Sequence, residues 1–212
     1  MLSERFRESL RQLPLVAILR GVTTDEVVEL GQVLLENGFR VIEVPLNSPT
    51  PLQSIQRLRE TLPDDCIVGA GTVMSAVQVR EVASVGGQII VMPHSDPDVI
   101  RAAKHAGLVC APGVVTPTEA FAALAAGADA LKFFPTELIN PTAVAAMRTV
   151  LPPATVVLPV GGITPDNMQP YIKAGANGFG LGSALYRAGQ PLAQTALNAR
   201  RFAQAWQLLG AH

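Results

Sequence analysis

The sequence has 212 residues, is 16% charged and 49% hydrophobic, and carries a formal net charge of −1. These values predict one domain over residues 1–212 with a large core, and the lack of a basic stripe argues against nucleic-acid binding. The longest uncharged segment, residues 149–165, contains four prolines and does not suit a membrane helix. The first twenty residues lack the pattern of a signal peptide, so we expect a cytoplasmic protein with no membrane association.

A regular alternation of short apolar runs and longer helical patterns organises the chain. Residues 2–12 predict an amphipathic helix, with Phe6 and Leu10 four positions apart. Residues 191–209 predict a last amphipathic helix, with Trp206 packed on the outside of the barrel or at a subunit contact. Glycines that follow helical stretches predict left-handed helix ends. These glycines are Gly38, Gly87, Gly107, Gly127 and Gly175. The apolar runs are residues 16–20, 41–46, 67–72, 88–93, 109–113, 130–135, 156–162 and 178–182.

Eight such runs, each followed by a helical pattern, indicate repeated βα units and a parallel sheet covered by helices. Eight strands also suffice to close a barrel, so the predicted fold is α/β, a single-domain (β/α)8 TIM barrel with an N-terminal helix. The main alternative is an open doubly wound sheet. That fold usually has a glycine-rich turn after its first strand, and residues 19–23 do not form one.

One lysine lies inside an apolar run. The chain has only three lysines, and Lys132 is flanked by Leu131, Phe133 and Phe134. Such a lysine either extends its ammonium to solvent, as a purely structural residue, or becomes partly desolvated. Desolvation favours the neutral amine, which is a nucleophile toward carbonyl carbons.

A glutamate lies in an equally apolar setting, because Glu43 stands within residues 41–46 of the second run. Opposite charges on two strands of one small barrel would compensate each other. The pair would then be either a buried ion pair that stabilises little, or a nucleophilic amine with a carboxylate that shuttles protons.

Backbone turns at the ends of the last two predicted strands form a second set. Gly161-Gly162 and Gly182-Ser183 each end a strand, and we expect each to open a helix. Such turns direct amide N–H groups at an anion, and the loops after strands seven and eight hold phosphate in many barrels. Arg20, at the end of the first run, could bind a carboxylate or phosphate.

The sequence offers few metal ligands. His94 is the only histidine near a predicted strand end, and His105 and His212 lie in a helix end and a tail without a predicted role. A catalytic metal site would need several converging histidine or carboxylate ligands. We therefore expect neither metal nor cofactor, and we expect Cys66 and Cys110 to be buried thiols rather than a disulfide.

Taken in order, these motifs resemble the 2-keto-3-deoxy-6-phosphogluconate and 6-phosphogalactonate aldolase family, from about Leu13 to Gln190. The motifs are Leu19-Arg20, Ile42-Glu43-Val44, Gly69-Ala70-Gly71-Thr72, Lys132-Phe133-Phe134-Pro135, Gly161-Gly162-Ile163 and Gly182-Ser183-Ala184-Leu185.

The resemblance implies a metal-independent class I aldolase barrel, commonly a homotrimer, that cleaves a phospho-sugar acid to pyruvate and D-glyceraldehyde 3-phosphate. It implies a Schiff base on Lys132 and proton transfer by Glu43. The other implied roles are contacts to the pyruvyl carboxylate region by Arg20 and Thr72, pocket walls from Pro93 and Phe134, and phosphate binding by Gly161, Gly162, Gly182 and Ser183.

Two features resemble the galactonate branch of the family. Pro45-Leu46-Asn47-Ser48-Pro49 follows the glutamate, and Val160 precedes the double glycine where gluconate members usually have threonine. Valine cannot donate a hydrogen bond to the C4 hydroxyl, where the two substrates differ. The alternatives are the gluconate substrate, a phosphate-binding barrel isomerase or epimerase, and a non-catalytic phospho-sugar-binding barrel.

Overall fold

The computed structural model describes residues 1–210. The strands are β1 (Leu15–Ile18), β2 (Val41–Pro45), β3 (Ile67–Gly71), β4 (Ile89–Val91), β5 (Val109–Ala111), β6 (Gly113–Val114), β7 (Leu131–Phe133), β8 (Val157–Pro159) and β9 (Phe179–Leu181). The helices are α1 (Leu2–Gln12), α2 (Val27–Glu36), α3 (Pro51–Thr61), α4 (Ala76–Ser84), α5 (Pro97–His105), α6 (Pro117–Ala125), α7 (Pro141–Arg148), α8 (Met168–Lys173) and α9 (Leu192–Gly210).

All strand pairs in the two sheets are parallel. One sheet has the order β5-β4-β3-β2-β1-β9 and the other the order β6-β7-β8. The fifth predicted run becomes two strands because Pro112 interrupts it and has no N–H to donate, although its carbonyl accepts a hydrogen bond from Lys132 N at 2.9 Å. A bridge between Val160 and Gly180 lies beside β8 and β9. The fold is thus α/β with parallel strands, as predicted.

Alternation along the strands produces two hydrophobic layers. One layer lies between the strands and the helices. The other lies on the inner face of the strands, and Phe6 and Leu10 of α1 belong to it. Phe6 and Leu10 belong to one cluster with the first residues of several strands, such as Val41, Ile67 and Val109. Helix α1 therefore covers the amino-terminal end of the interior.

Several predictions about segment ends are confirmed and two are wrong. Four of the five predicted glycines have the positive φ of a left-handed helix end, but Gly86 (φ +79°) takes this role in place of Gly87. The chain after Gly182 forms a turn, with Leu185 N donating to Gly182 O at 2.9 Å, and does not begin a helix.

The aromatic residue of the last helix and the two cysteines lie as the sequence predicted. Trp206 packs edge-to-face on Phe179, with 6.4 Å between ring centroids. Cys66 and Cys110 are buried free thiols, and burial raises the pKa of each. His212 lies outside the described residues. Among residues 1–210, no helix combines the length and apolar character needed to cross a membrane.

Candidate active site

Lys132 and Glu43 both point to the interior. Lys132 of β7 lies two residues after Ala130, and Glu43 of β2 lies two residues after Val41; both of these apolar residues belong to the inner layer. The side chains are almost fully buried, with 6% of Lys132 and 2% of Glu43 exposed. Both line one small apolar cavity of ≈ 20 Å³, about the space of one water molecule, together with Ile18. The two charged groups, which the sequence placed on separate strands, therefore face the same internal cavity.

Burial shifts both groups toward their neutral forms. It raises the pKa of Glu43 from its ordinary 4.5 to about 7, against the opposing attraction of the Lys132 and Arg20 charges. Burial also lowers the pKa of Lys132, which Glu43 opposes and Arg20 reinforces. The Lys132 ammonium lies 4.5 Å from the centroid of the Phe134 ring, which is in cation–π range. A neutral amine beside a carboxyl group that titrates near pH 7 can attack a carbonyl and exchange protons.

A larger pocket opens from the same lysine. Its volume is ≈ 150 Å³, and its lining includes most of the residues that the sequence predicted for the substrate. These residues are Arg20, Lys132, Phe134, Val160, Gly161, Gly162, Gly182 and Ser183, with Ile18, Ile163 and Ala184. Lys132, Val160 and Ile18 line both this pocket and the small cavity beside Glu43. The structure therefore places the amine between the carboxyl group and the glycine turns.

Two residues that the sequence did not single out brace the first glycine turn. Gly161 (φ +110°) and Gly162 (φ +54°) both have left-handed conformations. The Thr136 hydroxyl donates to Gly161 O. Asn167 Nδ2 donates to Gly162 O at 2.8 Å, and its Oδ1 accepts from Thr164 N at 2.9 Å. The Thr136 bond joins residues 25 positions apart, so no spacing signal marks its role. Asn167 instead bonds locally, and its capping-box spacing from Thr164 is a signal that could have identified it.

Arg20 is held at the mouth of the pocket by the segment after β2. Its guanidinium donates to Asn47 Oδ1 at 3.0 Å. The next backbone amide, Gly21 N, donates to the Ser48 hydroxyl at 2.9 Å. Two residues of the Pro45–Pro49 motif therefore bond directly to the Arg20-Gly21 segment.

Two predicted residues lie at strand ends but line neither cavity. Thr72 follows β3 with φ +56°, a conformation that a β-branched side chain rarely adopts. Pro93 lies just past β4. Their proposed contacts with substrate stay predictions. Within residues 1–210, no group of three or more His, Cys, Asp or Glu side chains is arranged to hold a metal ion.

Parallel strands, a buried amine beside a carboxyl group and a glycine-lined pocket define a site suited to Schiff-base chemistry, and the chain is an aldolase. It belongs to the KDPG and KHG aldolase family, whose pattern matches residues 6–197.

Individual relatives agree with this assignment. A probable 2-dehydro-3-deoxy-6-phosphogalactonate aldolase of Rhizobium meliloti (strain 1021) is 47% identical over 83% of each chain. The 2-dehydro-3-deoxy-6-phosphogalactonate aldolase of Escherichia coli (strain K12) is 45% identical, over 92% of this chain and 96% of the relative. A solved structure described as native KDPGal superposes with a TM-score of 0.93 at 44% identity, covering 95% of this chain and 98% of that chain.

Proposed function

We propose that this enzyme cleaves 2-dehydro-3-deoxy-6-phosphogalactonate to pyruvate and D-glyceraldehyde 3-phosphate. One observation carries the proposal: the buried Lys132 amine lies between the Glu43 carboxyl group and a pocket lined by two glycine turns. The names of two relatives that are 45–47% identical over the aligned residues support the choice of substrate.

Lys132 attacks the C2 carbonyl, and loss of water from the carbinolamine gives a protonated imine. Glu43 takes the proton of the C4 hydroxyl as the C3–C4 bond breaks, and the bonding electrons flow into the imine. Glyceraldehyde 3-phosphate leaves, and the remaining enamine is protonated at C3. Hydrolysis of the resulting imine frees pyruvate and regenerates the amine.

The other predicted site residues hold the two ends of the substrate. Backbone amides of Gly161, Gly162 and Gly182, with the Ser183 hydroxyl, bind the phosphate, since bare turns admit an anion closely. Arg20 and Thr72 bind the pyruvyl carboxylate region. Phe134 forms a wall of the pocket, and Pro93, which lines neither cavity, shapes it from just past β4.

The two sheets form one closed eight-stranded barrel in a single domain, residues 1–212. Two contacts and one adjacency support closure: β9 pairs with β1, Val160 bridges to Gly180, and only Pro112 separates β5 from β6 in the sequence. A cytoplasmic location and a reaction without metal or cofactor stay predictions.

The subunits form a homotrimer. Apolar side chains of α4 and α6, Val77 and Phe121, are about half exposed, and Leu138 after β7 is 70% exposed. An interface between subunits would cover these side chains. Light scattering should give three times the 22.3 kDa chain mass. A monomer mass would contradict the trimer without affecting the proposed reaction.

The substrate is tested with the two C4 epimers. We expect a higher kcat/KM for the galacto epimer, and we expect Val160→Thr to improve the relative use of the gluco epimer by about tenfold, because the hydroxyl adds a hydrogen-bonding group beside Lys132. A wild-type preference for the gluco epimer would assign the enzyme to gluconate chemistry instead.

A further inference from the structure

Gly71, the last residue of β3, lies directly against the Glu43 carboxyl group. A Cβ atom added at Gly71 would fall within 3.0 Å of both carboxyl oxygens and of Cδ, closer than real Cβ contacts occur. The obstacle is the functional end of a buried side chain. A Cβ atom at this position would therefore have to displace the carboxyl group from where it lies.

The carboxyl group of Glu43 has few other constraints on its position. Its Oε2 is buried and makes no hydrogen bond with any described residue. Its backbone is fixed in β2, opposite Ile18 and Gly69, and its carbonyl accepts from Leu19 N at 3.0 Å. The backbone is thus anchored on both sides, while packing against Gly71 sets where the free oxygen lies.

Gly71 itself cannot move aside to admit a side chain. Its carbonyl accepts a hydrogen bond from Leu46 N at 2.8 Å, and it lies opposite Pro45 in the ladder between β2 and β3. The next residue, Thr72, is already held in a left-handed conformation that costs backbone energy. The backbone of Gly71 and of Thr72 is therefore fixed by the fold.

We propose that Gly71 is a positioning residue that places the Glu43 carboxyl group for proton transfer. The inference rests on the proposed function, because it assigns Glu43 the transfer of protons to and from substrate. Gly71 touches neither substrate nor Lys132 in this role. It acts only by leaving space for the carboxyl group.

A double-mutant cycle tests the contact. Gly71→Ala should displace the carboxyl group and lower kcat about a hundredfold, while KM changes less than about threefold because the glycine-lined pocket is untouched. Glu43→Asp has one methylene fewer and leaves room for the added methyl group. In the Glu43→Asp enzyme, Gly71→Ala should therefore change kcat by less than about threefold.

Gly31→Ala on α2 is the matched control, because its Cβ would overlap Leu58, a buried side chain outside the site. It should lower Tm and leave kcat unchanged. A hundredfold loss caused by Gly71→Ala in the Glu43→Asp enzyme as well would overturn the inference. The comparison within the Glu43→Asp background decides the matter even where Gly71→Ala alone fails to fold. Absence of aldolase turnover in the wild type would instead refute the proposed function.

Discussion

The Oε2 atom of Glu43 makes no hydrogen bond within the described part of the chain, and the charges that compensate the carboxylate belong to Lys132 and Arg20. Its environment therefore leaves the carboxyl group close to the balance between protonated and ionised forms at neutral pH. A group with this balance can both accept and return a proton within one catalytic cycle.

The raised pKa of Glu43 predicts a pH profile. The ionised form accepts the C4 hydroxyl proton, and its fraction grows as pH rises through about 7. The rate should therefore rise across this range, whereas a carboxyl group at its ordinary pKa would give a rise near 4.5. Measurement of kcat from pH 5 to 9 checks this.

Glu43→Gln is the control, since glutamine cannot take up the proton. We expect its kcat to be about a hundredfold or more lower and to lack the rise near pH 7. If Glu43→Gln keeps the same rise, another group causes it and the role of Glu43 is wrong.

At this scale the sequence was informative, because a lysine and a glutamate within apolar runs are exceptional whatever the fold. Their common interior also follows from alternation along strands. The contact of Glu43 with Gly71 could not be predicted. The sequence does not distinguish a glycine that forms a turn at a strand end from one that leaves space for a neighbouring side chain.

The loop between β8 and α8 is an element whose shape depends on a few side-chain bonds. Asn167 lies in a short 3-10 turn (Pro165–Asn167) and bonds back to the backbone at Gly162 and Thr164. These bonds fix the turn that we propose holds phosphate.

Asn167→Ala should therefore weaken phosphate binding. We expect KM for the phosphorylated substrate to rise about tenfold, while the reaction of pyruvate with Lys132 continues because pyruvate has no phosphate. Steady-state kinetics and trapping of the pyruvate adduct separate the two effects.

Asn140→Ala is a suitable control, since Asn140 caps α7 by accepting a hydrogen bond from Ala143 N at 3.0 Å. It should reduce stability by about 1 kcal/mol without changing KM. Equal increases in KM for both variants would show that general destabilisation, not the braced turn, is responsible.

Element boundaries were less predictable than element types. The order of strands and helices follows from hydrophobic periodicity. However, the split at Pro112 and the exchange of Gly86 for Gly87 depend on local hydrogen bonds. The turn after Gly182 was predicted as a helix start because small residues suit both structures.

For the whole molecule, α1 covers the interior at the end opposite the pocket. Phe6 is fully buried among residues of the inner layer, so the first helix contributes to the same core that surrounds Lys132 and Glu43. The sequence indicated the helix and its apolar face. It could not indicate which surface that face would cover.

Phe6→Ala should lower the free energy of unfolding by about 3–5 kcal/mol, the usual cost of removing a buried aromatic ring. Leu197→Ala, on the half-exposed face of α9, should cost less than about 1 kcal/mol. Urea denaturation measures both. A small effect of Phe6→Ala would show that α1 is not part of the cooperative core.

The central claim is that Lys132 forms the Schiff base, and trapping with pyruvate tests it most directly. The protein is incubated with pyruvate and borohydride, digested, and the modified peptide is identified by mass spectrometry. We predict one adduct, on Lys132, that is absent from Lys132→Ala. An adduct on Lys104 or Lys173, or none, would contradict the account.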